Sequence, residues 1–113
     1  MTLRVADYAR FSNDDLQDER SIPDQQRLCQ EKAGRIAAGA GPIRHFSDAG
    51  ISGASMLGRP GLQAMLLAVA AGEIDLVLAE SLDRLSRNQA DIARIYQLIT
   101  HAEARLVTVE EDD

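Results

Sequence analysis

Apolar residues along this chain fall into short runs that change period. Leu3 to Ala9 alternates, with Leu3 and Val5 on one side and Tyr8, Arg10 and Ser12 following at a spacing of two, which predicts a strand. Polar residues from Asn13 to Arg20 then read as a loop. Ser21-Ile22-Pro23-Asp24 has the form of a helix start: a capping serine, a proline tolerated in the first turn and an acid three residues on. The helix is predicted over Ile22 to Ala38, with Ile22, Leu28, Cys29, Ala33 and Ile36 inward, and Gly39-Ala40-Gly41-Pro42 stops it. A short strand follows over Ile43 to Ser47.

Gly50, Gly53 and Gly58 mark a mobile loop from Asp48 to Arg59. Pro60 opens a second helix, ended by Gly72, whose Leu62, Met65, Leu66 and Val69 recur at helical spacing. Ile74 to Ala79 is nearly continuous in apolar residues, the pattern of a buried parallel strand. Asn88 caps a third helix with Ile92, Ile95, Tyr96 and Ile99 inward, and Arg105 to Glu110 reads as a last strand. Strand and helix alternate with short links. The expected fold class is therefore α/β: a mainly parallel sheet with helices on both faces, a flavodoxin-like three-layer arrangement.

Composition narrows the function. At 113 residues the chain is one domain or most of one, and 45% apolar content supports a core. A net charge of −6 argues against a free-standing nucleic-acid binder, which normally carries a basic excess, but not against a catalytic domain held on DNA by another segment. The one cysteine, Cys29, can form no intrachain disulfide and reads as a small core residue. No apolar run approaches the roughly 20 residues of a membrane span. The default compartment is the cytoplasm.

Ligands of an α/β sheet sit beyond the carboxyl ends of its parallel strands. Three polar clusters fall there: Tyr8-Ala9-Arg10-Phe11-Ser12; Asp48-Ala49-Gly50-Ile51-Ser52-Gly53, leading to Arg59-Pro60; and Leu82-Asp83-Arg84-Leu85-Ser86-Arg87. If the last is helical, Arg84 and Arg87 share a face, and Asp83 and Arg87 lie one turn apart. Arg10, Arg59, Arg84 and Arg87 thus converge from three segments on one sheet edge. Guanidinium groups hold phosphate bidentately and suit the charge of a phosphoryl-transfer transition state. No Walker loop is present, no His/Asp partner pattern lies near Ser12, and neither His45 nor His101 has metal-ligand spacing. Each residue also has a plainer reading: Ser12 as a turn serine, Arg84 and Arg87 as solvated helix charges, Arg59 as a loop charge, Asp48 as a turn cap, Gln25 as a solvent-facing helix residue.

These stretches, together with Ser21-Ile22-Pro23-Asp24-Gln25-Gln26 and Arg59-Pro60-Gly61-Leu62, resemble the amino-terminal catalytic domain of the serine recombinases. That resolvase/invertase group includes the large serine integrases and transposases. The motifs occur in the family's order across nearly the whole chain. The resemblance implies that Ser12 is the nucleophile forming a 5′-phosphoserine link to DNA and releasing a 3′-hydroxyl. It implies that Arg10, Arg59, Arg84 and Arg87 surround the scissile phosphate and that Asp83 is the acid beside them. Gln25 and Asp48 match active-site residues, and Tyr8 is expected to support the phosphate site.

Site-specific DNA recombination is the activity implied, without metal, nucleotide or other cofactor. The implied partners are DNA, reached through the full-length protein, and further recombinase subunits in a dimer or tetramer. The family continues into a dimerisation helix and a DNA-binding segment, so residues 1–113 are expected to be a catalytic domain truncated before them and inactive alone. The alternative is a non-catalytic assembly module that keeps the fold.

Overall fold

A computed structural model describes residues 3–11, 20–49 and 58–110. The strands are β1 (Val5–Phe11), β2 (Arg44–Ala49), β3 (Leu76–Ala79) and β4 (Arg105–Thr108). The helices are α1 (Ile22–Ile36), α2 (Pro60–Ala70), the single turn α3 (Leu82–Leu85) and α4 (Gln89–His101). The four strands are all parallel, in the order β2-β1-β3-β4. Parallel neighbours need crossover connections, and the helices supply them.

β1 is central, and its side chains alternate between two cores. Val5 packs with Cys29, Ala33 and Ala37 beneath α1, together with Leu76, Leu78 and Val107. Ala6 and Tyr8 face the opposite way, into the larger core of Leu62, Met65, Val69, Val77, Ile95 and Ile99 beneath α2 and α4. This is the expected three-layer arrangement, with helices on both faces of the sheet. Each large apolar side chain withdrawn completely from water contributes about 1.5–3 kcal/mol before chain entropy is counted. The two cores, rather than helix propensity, hold the layers together.

Several local rules act as the sequence implies. Ser21 caps α1 by accepting a hydrogen bond from the Asp24 amide (3.3 Å), and Asn88 caps α4 by accepting from the Ala90 and Asp91 amides (2.8 and 3.2 Å). Gly72 adopts a left-handed φ of 77° just after α2, which a side chain would disfavour.

Other boundaries shift. β1 runs two residues later than expected, to Phe11, and Leu3 lies outside it, 43% exposed. β2 extends to Ala49, so Asp48 belongs to a strand and not to a loop. Tyr96, expected inward on α4, is 37% exposed, because Ile95 and Ile99 already fill the narrow stripe that faces the core. α3 stops at Leu85 and Ser86 is extended (φ −170°, ψ 156°), so Arg84 and Arg87 share no helical face. Ser12, most of the Asn13 to Arg20 loop, and Gly50, Ile51, Ser52 and Gly53 lie outside the described residues.

Candidate active site at the carboxyl edge of the sheet

The carboxyl ends of β1, β2 and β3 meet α3 and the start of α2, and the charged candidates gather there. Tyr8 and Arg10 both project from the β1 face that α2 covers. Both are completely buried, as is Arg59, the residue immediately before α2. A buried guanidinium is tolerated only when its N–H groups find acceptors.

Arg59 finds them in two places. Its Nη2 donates to the Arg84 carbonyl (2.7 Å) and to the Tyr8 hydroxyl (2.9 Å), and its Nε donates to the same hydroxyl (3.2 Å). The guanidinium also lies over the Tyr8 ring, 5.2 Å from its centroid, where the negative π face adds attraction. Arg10 Nη2 donates to the Asp83 carbonyl (3.2 Å). Two arginines from different elements therefore hold successive carbonyls of α3.

Tyr8 in turn donates its hydroxyl proton to Asp48 Oδ2 at 2.6 Å. The same carboxylate accepts from the Gly61 amide (Oδ1, 2.8 Å) and the Leu62 amide (Oδ2, 3.0 Å), closing the exposed donors at the start of α2. Burial, with Asp48 next in weight, pushes the Tyr8 hydroxyl far above the ordinary phenol range despite the Arg59 charge. It therefore stays protonated and donates. Gly61 is required at this junction: a Cβ would lie 2.1 Å from the Ser47 carbonyl oxygen.

Gln25, the second expected partner, is wholly buried. Its Oε1 accepts from the Arg10 amide (3.1 Å), and its Nε2 donates to the carbonyls of Arg10 (2.9 Å) and Arg20 (2.7 Å). It thus ties the end of β1 to the residue just before the α1 cap. These are the two ends of the segment containing Ser12.

Asp83 is exposed, and Arg87 is exposed beside it. Asp83 lines two clefts. One, of about 360 Å3, is shared with Ser81, Leu82, Thr108 and Glu110. The other, of about 370 Å3, is shared with Leu82, Ser86, Arg87, Gln89, Ile92 and Ala93. The structure thus brings together Tyr8, Arg10, Gln25, Asp48, Arg59, Asp83 and Arg84, with Arg87 flanking them. Ser12 follows Phe11, the last residue of β1, and is itself outside the described residues. Among the described residues, no three His, Cys, Asp or Glu side chains group as a metal ion would require.

Sequence reasoning missed Glu80. It is buried at the end of β3, where its Oε1 accepts from Arg84 Nε (2.9 Å) and pairs with Nη2 (2.9 Å), while its Oε2 is ion-paired to Arg20. The only signal was a carboxylate ending a strongly apolar run four residues before an arginine. Asp7, on the opposite face of β1, was missed as well. Burial pushes its carboxyl up to about 6 against the opposing pull of His45, whose Nδ1 lies 2.9 Å from both of its oxygens.

An open parallel sheet with helices on both faces, whose carboxyl edge gathers Arg10, Arg59 and Arg84, defines an α/β domain with a cationic edge. The resolvase N-terminal domain family matches residues 5–113, and the chain belongs to that family. It is a catalytic domain of the serine-recombinase type. The catalytic domain of TP901-1 integrase is 29% identical with a TM-score of 0.78, covering 94% of this chain and 76% of that one. A resolvase-family site-specific recombinase from Streptococcus pneumoniae is 27% identical with a TM-score of 0.75, covering 96% and 73%. The catalytic domain of the IS607-like serine recombinase ISC1926 TnpA is 25% identical with a TM-score of 0.77, covering 97% and 72%. Among curated protein sequences, none matches the chain. No described helix is long and apolar enough to cross a membrane.

Proposed function

We propose that the protein cuts and rejoins DNA in site-specific recombination, with Ser12 as the nucleophile. The observation that carries this reading is the meeting of Arg10, Arg59 and Arg84 on α3, beside the strand end that leads into Ser12. In the proposed step the Ser12 oxygen attacks a backbone phosphorus. The P–O bond to the 3′-oxygen breaks, leaving a 5′-phosphoserine and a free 3′-hydroxyl, and the serine proton is lost as the leaving oxygen gains one. Religation is the reverse attack by a 3′-hydroxyl, so the phosphoserine conserves the energy of the cut bond.

A serine hydroxyl is a weak nucleophile without activation. The guanidinium groups of Arg10, Arg59, Arg84 and Arg87 lower the cost of the alkoxide and hold the phosphate in line. Asp83 orients an arginine or shares in proton transfer, while Tyr8, Asp48 and Gln25 hold the arginine-bearing segments. Arg10 and Arg59 are enclosed, so in this reading their cover opens before either reaches a phosphate. DNA and further copies of the recombinase are the proposed partners.

The test uses the protein in the full length its gene encodes, incubated with sheared genomic DNA from its source and quenched in detergent. Covalent adducts should form, and nuclease digestion followed by mass spectrometry should leave a nucleotide on Ser12. Adducts formed equally by Ser12→Ala would refute the assignment.

A further inference from the structure

Glu80 is a carboxylate with little access to water at the end of β3. Burying such a charge is costly unless partners replace its hydration, so its surroundings must be arranged for it. Two arginines from different parts of the chain do this. Arg84, one turn further on, meets Oε1 through two of its nitrogens. Arg20, sixty residues earlier, meets Oε2.

Arg20 is more than a counter-charge. Its carbonyl accepts from Gln25 Nε2, and Gln25 grips the Arg10 backbone on both its N–H and its carbonyl. One continuous chain of bonds thus runs from the Arg84 guanidinium through Glu80, Arg20 and Gln25 to the end of β1. Arg10 and Arg20 flank the segment that includes Ser12, and Arg84 belongs to the turn that Arg10 and Arg59 hold from beneath.

We propose that Glu80, with Arg20, is a positioning pair: the carboxylate sets the direction of the Arg84 guanidinium and locks it in register with both ends of the Ser12 segment. The pair acts through Arg84 and the backbone and does not itself touch the phosphate. The proposal rests on the recombinase reading for its consequence in catalysis, but the clamp is a property of the folded chain.

The experiment therefore has two arms. In the first, the protein is 15N-labelled and the Arg84 Nε–H resonance, assigned by its loss in Arg84→Lys, is followed in solution without DNA. It is expected to exchange slowly with water in the native protein and to move in both Glu80→Gln and Arg20→Gln. Arg20 is largely solvent-facing, so its variant keeps the test alive if Glu80→Gln fails to fold. An Arg84 resonance unmoved by Arg20→Gln would overturn the proposal, whatever the protein does to DNA.

The second arm measures adduct formation on a duplex recovered in the genomic capture. Glu80→Gln should lower the rate at saturating DNA about 10- to 100-fold, the scale on which a misplaced group slows a reaction. The DNA concentration for half-maximal rate should hardly change. The Glu80→Gln/Arg20→Gln double variant should be no slower than the worse single variant, because both break one unit. Equal rates for Glu80→Gln and the native protein, or multiplying losses in the double variant, would overturn it. If the native protein forms no adduct, the recombinase reading fails and the resonance arm decides the clamp alone.

Discussion

Replacing Tyr8 by phenylalanine removes one oxygen from the centre of the site and leaves the ring in place. That oxygen accepts two N–H groups of Arg59 and donates to Asp48, and all three residues are buried. Asp48 keeps the Gly61 and Leu62 amides. Arg59 keeps the attraction of the ring face and the Arg84 carbonyl, but its Nη1 already has no hydrogen-bond partner among the described residues. Hydrogen bonds to charged groups contribute about 1.5–3 kcal/mol each, and the losses here share one atom, so the total is about 2–4 kcal/mol rather than the sum. For a domain near 100 residues this lowers the melting temperature by roughly 10 °C. Urea titrations of the native protein and Tyr8→Phe, compared at equal slope, measure it directly. A destabilisation under about 0.5 kcal/mol would refute the reasoning, because it would mean that the buried guanidinium does not depend on the phenol oxygen.

Four further outcomes follow from particular contacts. Gly61→Ala forces a methyl against the Ser47 carbonyl and should destabilise by about 3 kcal/mol or prevent folding, read in the same titration. Burial keeps Asp7 protonated in the folded chain up to about pH 6, whereas in the unfolded chain it ionises near the ordinary carboxylate value of 3.8, so its contribution to stability falls as pH rises between those values. Asp7→Asn should therefore gain about 3 kcal/mol on the native protein between pH 4 and 7; a difference flat with pH would contradict it. Burial, with the charges of Asp7 and Glu80 behind it, pushes the Cys29 thiol up to about 12, so alkylation at pH 8 should be negligible until denaturant is added. Arg10→Ala should abolish most adduct formation while the variant remains folded; a variant that cleaves at the native rate would remove Arg10 from the site.

The layered fold was legible because apolar periodicity reports burial directly. The apolar run from Ile74 to Ala79 announced a buried strand, which forms over Leu76–Ala79, and the caps at Ser21 and Asn88 depend on neighbours two or three residues away. The first strand was misplaced by two residues because its end is made of Tyr8, Arg10 and Phe11. Their polar atoms are satisfied by Asp48, Gln25 and Asp83, which are distant in sequence. Motif spacing found the arginines but not how they are held: Arg10 and Arg59 grip carbonyls, which no side-chain pattern encodes. Glu80 went unseen for the same reason, since one of its partners lies sixty residues earlier.

The strand order has a kinetic consequence. β1 is made first, yet Val5 pairs with Leu76 and Ala6 with Arg44. During synthesis the amino-terminal strand cannot complete its hydrogen bonding until β3, some seventy residues later, has left the ribosome. Long-range parallel pairing of this kind folds slowly, because loop-closure entropy is spent before the contacts form. For several seconds of elongation at typical rates, the nascent chain carries a β1 without its β3 partner and an Arg10 without its acceptor on α3. Folding of this domain should therefore be governed by the arrival of β3, and slowing translation before Leu76 should lengthen the interval in which the chain is open to misassembly.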